Sequence, residues 1–350
     1  MERRNFPVSR VVGFGEVMMR LTPPGFLRFD QAHSFDVNFT GAEANVLASL
    51  ARFGHAVEIV TRLPDNDLGD AGIAFLRSLG IGTRHILRGG DRLGLFFVEM
   101  GAMQRPSKVI YDRAGSAIAA ASPGLFDWPA ILSDADWLHW TGITPAVSKG
   151  LAAACLEAVQ IARARGLTIS CDLNYRKKLW QWGKRASEVM PQLVSLCDIA
   201  IGNEEDAEAV FGLQAPGAQV EAGRVSAEAY RPVCEQLHAR FPNLKLVAIT
   251  LRGSISASHN TWTAVAFDGK TLFAAPIYDL THIVDRVGGG DAFAGGLIHG
   301  LLANWDLEQA LRFAVAASCL KHSIYGDSNR ASLAEVEALM RGSGSGRVQR

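Results

Sequence analysis

The chain alternates between short runs of β-branched and aromatic residues and longer stretches with apolar residues at helical spacing. Arg10 to Glu16, with Val11, Val12 and Phe14, reads as a first strand. Ala42 to Phe53 carries its apolar residues on one helical face and stops at Gly54, which fits a helix C-cap. Ala56 to Thr61 is strand-like again, and Leu68 to Leu79 is helical up to Gly80. The rhythm resumes with a strand over Trp137 to Trp140, a helix over Lys149 to Arg165 and a strand over Leu167 to Asp172. It continues with strands over Cys197 to Ile201 and Leu244 to Leu251, with a helix over Ala227 to Arg240 between them. Strands separated by helices of this length imply βαβ units and a parallel sheet covered on both faces, an α/β fold.

Two regions break the rhythm. Met18 to Phe39 and Leu93 to Tyr111 read as extended with no helix between their pieces, which predicts a β-flap able to close over a ligand. Ala264 to Val284 holds further extended pieces, after which the pattern turns helical. Ser332-Leu-Ala-Glu335 has capping-box spacing and starts a last helix near Met340. The expectation is one domain over residues 10–341, its lid drawn from about 17–39 and 93–112, followed by a flexible tail over 342–350.

Charge narrows the partners. The 350 residues carry 35 basic and 35 acidic side chains, so no overall field draws the chain to nucleic acid, and Arg176-Lys-Lys178 is too short a basic run to do so. No apolar run is long enough to span a membrane, and Met1 to Pro7 lacks the apolar core of a secretory signal, so a cytoplasmic location is expected. The five cysteines form no Cys-x-x-Cys pair and read as buried reduced thiols. The nine histidines show no metal-ligand spacing, and Trp128, Trp137, Trp140, Trp180 and Trp182 read as core and lid packing.

Glycine sharpens the picture. Two clusters compete among the 35 glycines. Gly13-Phe-Gly15 follows the first strand, but the third glycine of a dinucleotide-binding loop would fall at Met18 and no helix follows. The second runs from Asp285 through Gly288-Gly289-Gly290-Asp291 to Gly295-Gly296, after an extended segment at Thr281 to Val284 and at the head of a helix. Glycines there leave backbone N–H groups uncovered, and the helix dipole adds positive character, so an anion is favoured. A carboxylate beside an anion site repels the anion unless it takes a proton from a nucleophile attacking it, as in phosphoryl transfer. Asp291 as a plain helix N-cap is the other reading, and the residues alone leave both open. Five of the glycines fall between Gly288 and Gly296, and the expectation is that all serve a close approach of backbone to phosphate.

Asp285 to Phe293 resembles the C-terminal signature of the ribokinase-like (pfkB) carbohydrate kinase family, differing at Arg286 and Gly289. Thr40-Gly41-Ala42-Glu43-Ala44-Asn45 is similar to its N-terminal signature, and Asn203-Glu-Glu-Asp206 to its Asn-x-x-Glu motif, with Asp in place of the final Glu. The likeness runs from about Val11 to Met340. Tyr111-Asp-Arg113, Asp172-Leu-Asn174-Tyr-Arg176 and Lys321-His-Ser-Ile-Tyr-Gly326-Asp327 are similar to the branch of the family that phosphorylates 2-keto-3-deoxygluconate. The resemblance implies a central, mostly parallel sheet flanked by helices, a small β-sheet lid, and transfer of the γ-phosphoryl of ATP to the C6 hydroxyl of that sugar acid. It also implies Mg²⁺ with the nucleotide and a homo-oligomer paired through the lid.

Carried over residue by residue, Asp291 is the general base, and the N–H groups of Gly288, Gly289 and Gly290 form the anion hole. Glu16, Gly41, Asn45, Phe96, Tyr111, Arg113 and Arg176 are expected around the sugar acid, whose carboxylate gives two arginines a use that a neutral sugar lacks. For each arginine a surface salt bridge is the alternative, and for Glu16 a solvated charge at a strand end. Phe96 and Asp112 stand where tyrosines are common in the branch. On the nucleotide side the resemblance implies Asn203, Thr250, Arg252, Gly253, Gly288, Gly290, Lys321 and Gly326, with Asp206 holding Mg²⁺ through water and Asp285 as a candidate for a monovalent cation such as K⁺. Lys321 and His322 themselves read as packing or solvated rather than catalytic. Arg286 either adds charge near the triphosphate or pairs with a carboxylate on a neighbouring helix. The competing functions are a kinase of a neutral ketose (fructose or tagatose) or of a nucleoside, and a sugar-acid sensor without chemistry. The gluconate- and galactonate-derived epimers present the same carboxylate, and nothing in the residues separates them.

Overall fold

The computed structural model describes residues 9–214 and 227–342. The tail from 343 onward and the segment Met1 to Pro7 lie outside the described residues. Fourteen strands occur among the described residues: β1 (Arg10–Phe14), β2 (Met18–Thr22), β3 (Asp36–Thr40), β4 (Ala56–Leu63), β5 (Ile86–Arg88), β6 (Gly94–Glu99), β7 (Lys108–Asp112), β8 (Trp137–Thr141), β9 (Thr168–Asp172), β10 (Ile199–Asn203), β11 (Leu246–Ser254), β12 (Asn260–Phe267), β13 (Leu272–Ala274) and β14 (Tyr278–Leu280). The helices are α1 (Ala42–Arg52), α2 (Asp67–Ser78), α3 (Trp128–Ile131), α4 (Ile143–Val147), α5 (Lys149–Ala164), α6 (Ala186–Val194), α7 (Asp206–Phe211), α8 (Arg231–Arg240), α9 (Gly289–Leu302), α10 (Leu307–Lys321) and α11 (Leu333–Met340).

The large sheet has the order β13-β12-β11-β10-β9-β8-β1-β4-β5, with β14 also on β12. From β11 to β5 every pairing is parallel, and β12 adds an antiparallel margin. Its central strands are buried on both faces, as their unbroken apolar runs require. On one face α5, α6 and α8 pack over Leu138, Trp140 and Ile169. On the other, α1, α9 and α10 cover Val11, Ile59 and Ile201.

A second sheet, ordered β3-β2-β6-β7, stands apart. Phe39 at one end of it and Met18, Phe96 and Val98 in its middle are buried, whereas β7 is exposed along its whole length.

Local chemistry sets the helix boundaries. Asn66, Ser148, Asp306 and Ser332 each accept a backbone N–H two or three residues into the helix that follows, with the Ser332–Glu335 box complete. Helix α1 ends at Arg52 with Gly54 in the left-handed region at φ 97°. The region between β9 and β10 holds α6, which the sequence pattern left unassigned.

The glycines of α9 divide into two jobs, which corrects the single role expected of them. A Cβ on Gly295 would lie 2.6 Å from Ser49 on α1, and one on Gly296 would lie 2.8 Å from the Cα of Ala314 on α10. These two let helices approach closely and do not face a ligand.

Candidate active site

The C-terminal ends of β8, β9, β10 and β11 open on a cleft of about 570 Å³, where an open α/β sheet binds ligands. Met18, Phe96, Val109 and Tyr111 of the small sheet wall one side, and Thr250, Arg252, Trp262 and Arg286 line the other. Between them lie Gly41, Asn45, Asp172, Asn174, Arg176, Asn203, Asp206 and Gly288 to Asp291.

The glycine loop is built as its sequence demands. Gly288 is the N-cap of α9 with φ 82°, a conformation that favours glycine, and a Cβ there would strike the carbonyl of Asp327. A Cβ on Gly289 would lie 2.6 Å from the His322 ring. At Gly290 a Cβ would meet no protein atom within 4 Å, so only a ligand in the cleft would meet a side chain there. Asp291 sits in the first turn of α9 and does not cap it; the N-cap is Gly288, with no side-chain cap bond. The Asp291 carboxylate instead accepts Asn45 Nδ2 at 2.7 Å. Asn45 Oδ1 in turn meets the hydroxyls of Thr40 and Ser328, both at 3.2 Å, and Thr40 donates to Asp327 at 2.8 Å. Burial pushes the Asp291 carboxyl up to about 7 against the Asn45 bond; Asp327 adds to the rise, while Arg176 and Lys321 oppose it. The Gly289 N–H is given to the Arg286 carbonyl at 3.4 Å, which departs from the expectation that all three loop N–H groups stay uncovered. A carboxylate tuned to neutrality at the head of a helix suits proton abstraction.

Two more carboxylates lie close by. Asp172, at the end of β9, is raised well above the ordinary carboxylate range by burial and by the charges of Asp206 and Asp291. Its Oδ1 accepts the N–H of Asn174, a non-glycine residue held at φ 39° on the cleft wall. Asp206 Oδ2 accepts the N–H of Asn203 at 2.9 Å, Asn203 Oδ1 accepts that of Asp206 at 3.1 Å, and Asp206 Oδ1 accepts that of Tyr175. The Asn-x-x-Asp motif is therefore a reciprocal cap that ties the β9 loop to the end of β10. Each Asp206 oxygen keeps a lone pair, and burial raises this carboxyl too. Mutually repelling buried carboxylates beside a phosphate loop form a donor set that fits a divalent cation held through water. Among the described residues no three His, Cys, Asp or Glu side chains gather tightly enough to ligate a metal directly.

At the lid end, Arg113 is buried, pairs with Glu16 at 2.8 Å and lies 4.2 Å from the centre of the Tyr111 ring. Tyr111 stacks on Phe96 at 5.7 Å. Asp112 turns outward to a bidentate pair with Arg92, so its departure from the branch pattern does not touch the cleft. Arg176 is exposed at the cleft mouth, donating to the Tyr175 carbonyl.

Five sequence-predicted residues do not line the cleft. Glu16 is only 2% exposed, so it is not a solvated charge, and it pairs with Arg113 behind the cleft wall. Gly253 is buried within β11. Lys321 is fully buried, donating to the carbonyls of Asp285 and Ile324. Gly326 gives its N–H to the Asp285 carboxylate. Asp285 itself pairs with Arg20 of β2 at 2.8 Å and accepts the Val287 N–H, so Arg20 and Lys321 already bring positive charge to the place considered for a monovalent cation. Sequence reasoning assigned no site role to Asp172, Asn174, Glu204 and Asp327, all on the cleft wall. For the first and last, the signal was their place within the motifs Asp172-Leu-Asn174 and Gly326-Asp327.

Residues 8–332 match the model of the pfkB family of carbohydrate kinases. A 2-dehydro-3-deoxygalactonokinase of Haloferax volcanii is 33% identical, over 97% of this chain and 98% of its own. The crystal structure of 2-dehydro-3-deoxygluconokinase from Thermotoga maritima is 47% identical with a TM-score of 0.91, over 95% of this chain and all of its own. An E. coli protein assigned as Ribokinase II, solved in complex with ATP and Mg²⁺, shares the fold at 23% identity and a TM-score of 0.77, over 95% of this chain and 99% of its own.

Proposed function

The chain belongs to the pfkB family of carbohydrate kinases, and from that premise we propose that it phosphorylates 2-keto-3-deoxygluconate at its C6 hydroxyl with ATP as donor. One observation carries the reading: a single cleft holds both a carboxylate of raised pKa on a glycine loop and two arginines, Arg113 and Arg176, suited to a substrate carboxylate. A neutral ketose or nucleoside has no group that needs those arginines.

In this mechanism Arg113 and Arg176 take the substrate carboxylate, and Phe96 and Tyr111 pack against its carbon chain near Gly41 and Asn45. The terminal hydroxyl then lies at Asp291. Its oxygen bonds to the γ-phosphorus of ATP as the bond to the β-phosphate oxygen breaks, ADP leaves, and the proton passes to Asp291. The N–H groups of Gly288 to Gly290 hold the charge on the phosphoryl in flight. Asn203, Thr250 and Arg252 border the nucleotide. When bound, Mg²⁺ neutralises phosphate charge, and Asp206 with its waters fits as its holder. The charges of Arg20 and Lys321 leave no role for K⁺ at Asp285 in this proposal. The exposed edge strand β7, with Val109 and Ile110, supports a homo-oligomer through the lid as part of the same reading.

The test is ADP release by purified protein over a panel of acidic and neutral sugars. The keto-deoxy acid is expected to turn over best; equal or better turnover of fructose would overturn the substrate. Likeness to a galactonate-derived kinase at 33% identity makes the C4 epimer the second reading, and the same panel ranks the two.

A further inference from the structure

Arg286 is half-buried. It precedes the glycine loop and lines the cleft wall beside Arg252 and Trp262, on the side away from Arg113. Strand β11 pairs with β12 so that Arg252 lies opposite Trp262 and Ser254 opposite Asn260. Asn260 is fully buried, and its amide nitrogen meets the carbonyls of Ser256 and His259, which leaves its oxygen to accept Arg286 Nη2 at 2.8 Å. That single bond tethers one end of the guanidinium. The Nε atoms of both Arg252 and Arg286 are buried with no hydrogen-bond partner, and among the described residues neither arginine has a carboxylate within ion-pair distance. The pairing with a neighbouring helix carboxylate, one of the two readings of Arg286 from sequence, is therefore not made.

Two guanidinium groups side by side in a half-buried wall repel each other. Arg252 is lowered first by burial and then by Arg286. The groups around them compensate in part. Glu204, its carboxyl raised by burial to about 6 and so still mostly charged at neutral pH, and Glu205 both act on Arg252, while His322, against Trp262, is driven down to about 3 and stays neutral. Arg176 adds a third positive charge facing Arg252. Such an arrangement is unfavourable in the empty protein and favourable once a multiply charged anion lies across it.

We propose that Arg286, oriented by Asn260 beside Arg252, is a donor-specificity residue: the two guanidinium groups form a clamp for the non-transferred phosphates of the nucleotide. The inference rests on the reading of this cleft as a nucleoside triphosphate site. It separates the labour of the loop, in which the N–H groups of Gly288 to Gly290 face the phosphoryl at Asp291 and Arg286 holds the phosphates behind it.

The experiment compares wild type with Arg286→Thr, Arg286→Lys and Asn260→Ala. Losing a charge-assisted bond to phosphate should raise the KM for ATP, and the calorimetric Kd for ADP, by about tenfold to a hundredfold in Arg286→Thr. The KM for the sugar substrate should stay put, and the effect should fall on KM for ATP more than on kcat. Arg286→Lys keeps the charge without the fork and should lie between. Asn260→Ala, which frees the guanidinium, should weaken ADP in the same direction. Without ligand and at low salt, Arg286→Thr should melt above wild type, because the repulsion with Arg252 is gone, while its gain on adding ADP shrinks. An ADP Kd equal to wild type in Arg286→Thr overturns the clamp. A wild-type protein that binds neither ADP nor inorganic tripolyphosphate overturns the nucleotide reading and the clamp together. One that phosphorylates only neutral sugars sinks the sugar-acid reading and leaves the clamp standing.

Discussion

Replacing Asp291 by Asn separates catalysis from stability at one position. The wild-type carboxyl rises from 3.8 to about 7 on folding, chiefly through burial. A carboxylate raised in this way favours the fold when protonated. Its stabilising share is complete below pH 3.8 and is lost as pH climbs through about 7. The full shift of about 3 units corresponds to about 4 kcal/mol, which contact with water in the cleft trims to about 2–4 kcal/mol. Asparagine is isosteric and can still accept the Asn45 amide, but it never charges. The stability gap in favour of Asp291→Asn should therefore widen by about 2–3 kcal/mol between about pH 5 and about pH 8.5. For a chain of this length that is about 3–4 °C in melting temperature. Asp172 faces Asp291 and is relieved by the same substitution, so it adds with the same sign. Glu43, Asp206 and Glu204 titrate in both proteins and cancel. The wild-type kcat/KM should rise about tenfold per pH unit below about 7 and level above it, and the variant should lose at least about 10²-fold in kcat. Paired thermal melts and rate profiles across this range decide the matter. A pH-independent stability gap, or a flat wild-type kcat/KM over the range, would refute the assignment of a buried titrating base.

Glu16→Gln removes the carboxylate that orients Arg113; it should raise the KM for the acid substrate about tenfold and leave the KM for ATP unchanged, read from paired saturation curves. Gly288→Ala places a Cβ against the Asp327 carbonyl at a left-handed φ, so it should cost several kcal/mol and at least about 10²-fold in kcat, measured by urea unfolding and ADP release.

Much of the site was legible because its chemistry is local in the chain. The glycine loop needs consecutive glycines, one of them left-handed, and the head of a helix, and those requirements are written at Gly288 to Gly290. The Asn203–Asp206 motif is a four-residue cap whose hydrogen bonds close on themselves. What escaped was long-range. Glu16 and Arg113 are paired across 97 positions, and Asn45 and Asp291 across 246. Nothing in the spacing of either residue says which partner desolvates it or turns it away from the cleft. The same holds for Gly295 and Gly296: their composition matched the phosphate loop next to them, yet α1 and α10 are what they approach.

By itself the sequence determined the alternation of strands and helices, the α/β class, the two extended regions that form the small sheet, and the glycine loop at the head of a helix. These follow from hydrophobic period, turn residues and short-range sterics, all acting over a few residues. Only the tertiary structure decided which charges meet. It gathered Asp172, Asp206 and Asp291 along the cleft and answered Asp285 with Arg20 from the other sheet. It also left Arg252 and Arg286 side by side, with no carboxylate in ion-pair distance of either among the described residues. The reason is that a charge's energy depends on its burial and its neighbours, and both are set by strands brought together from distant parts of the chain.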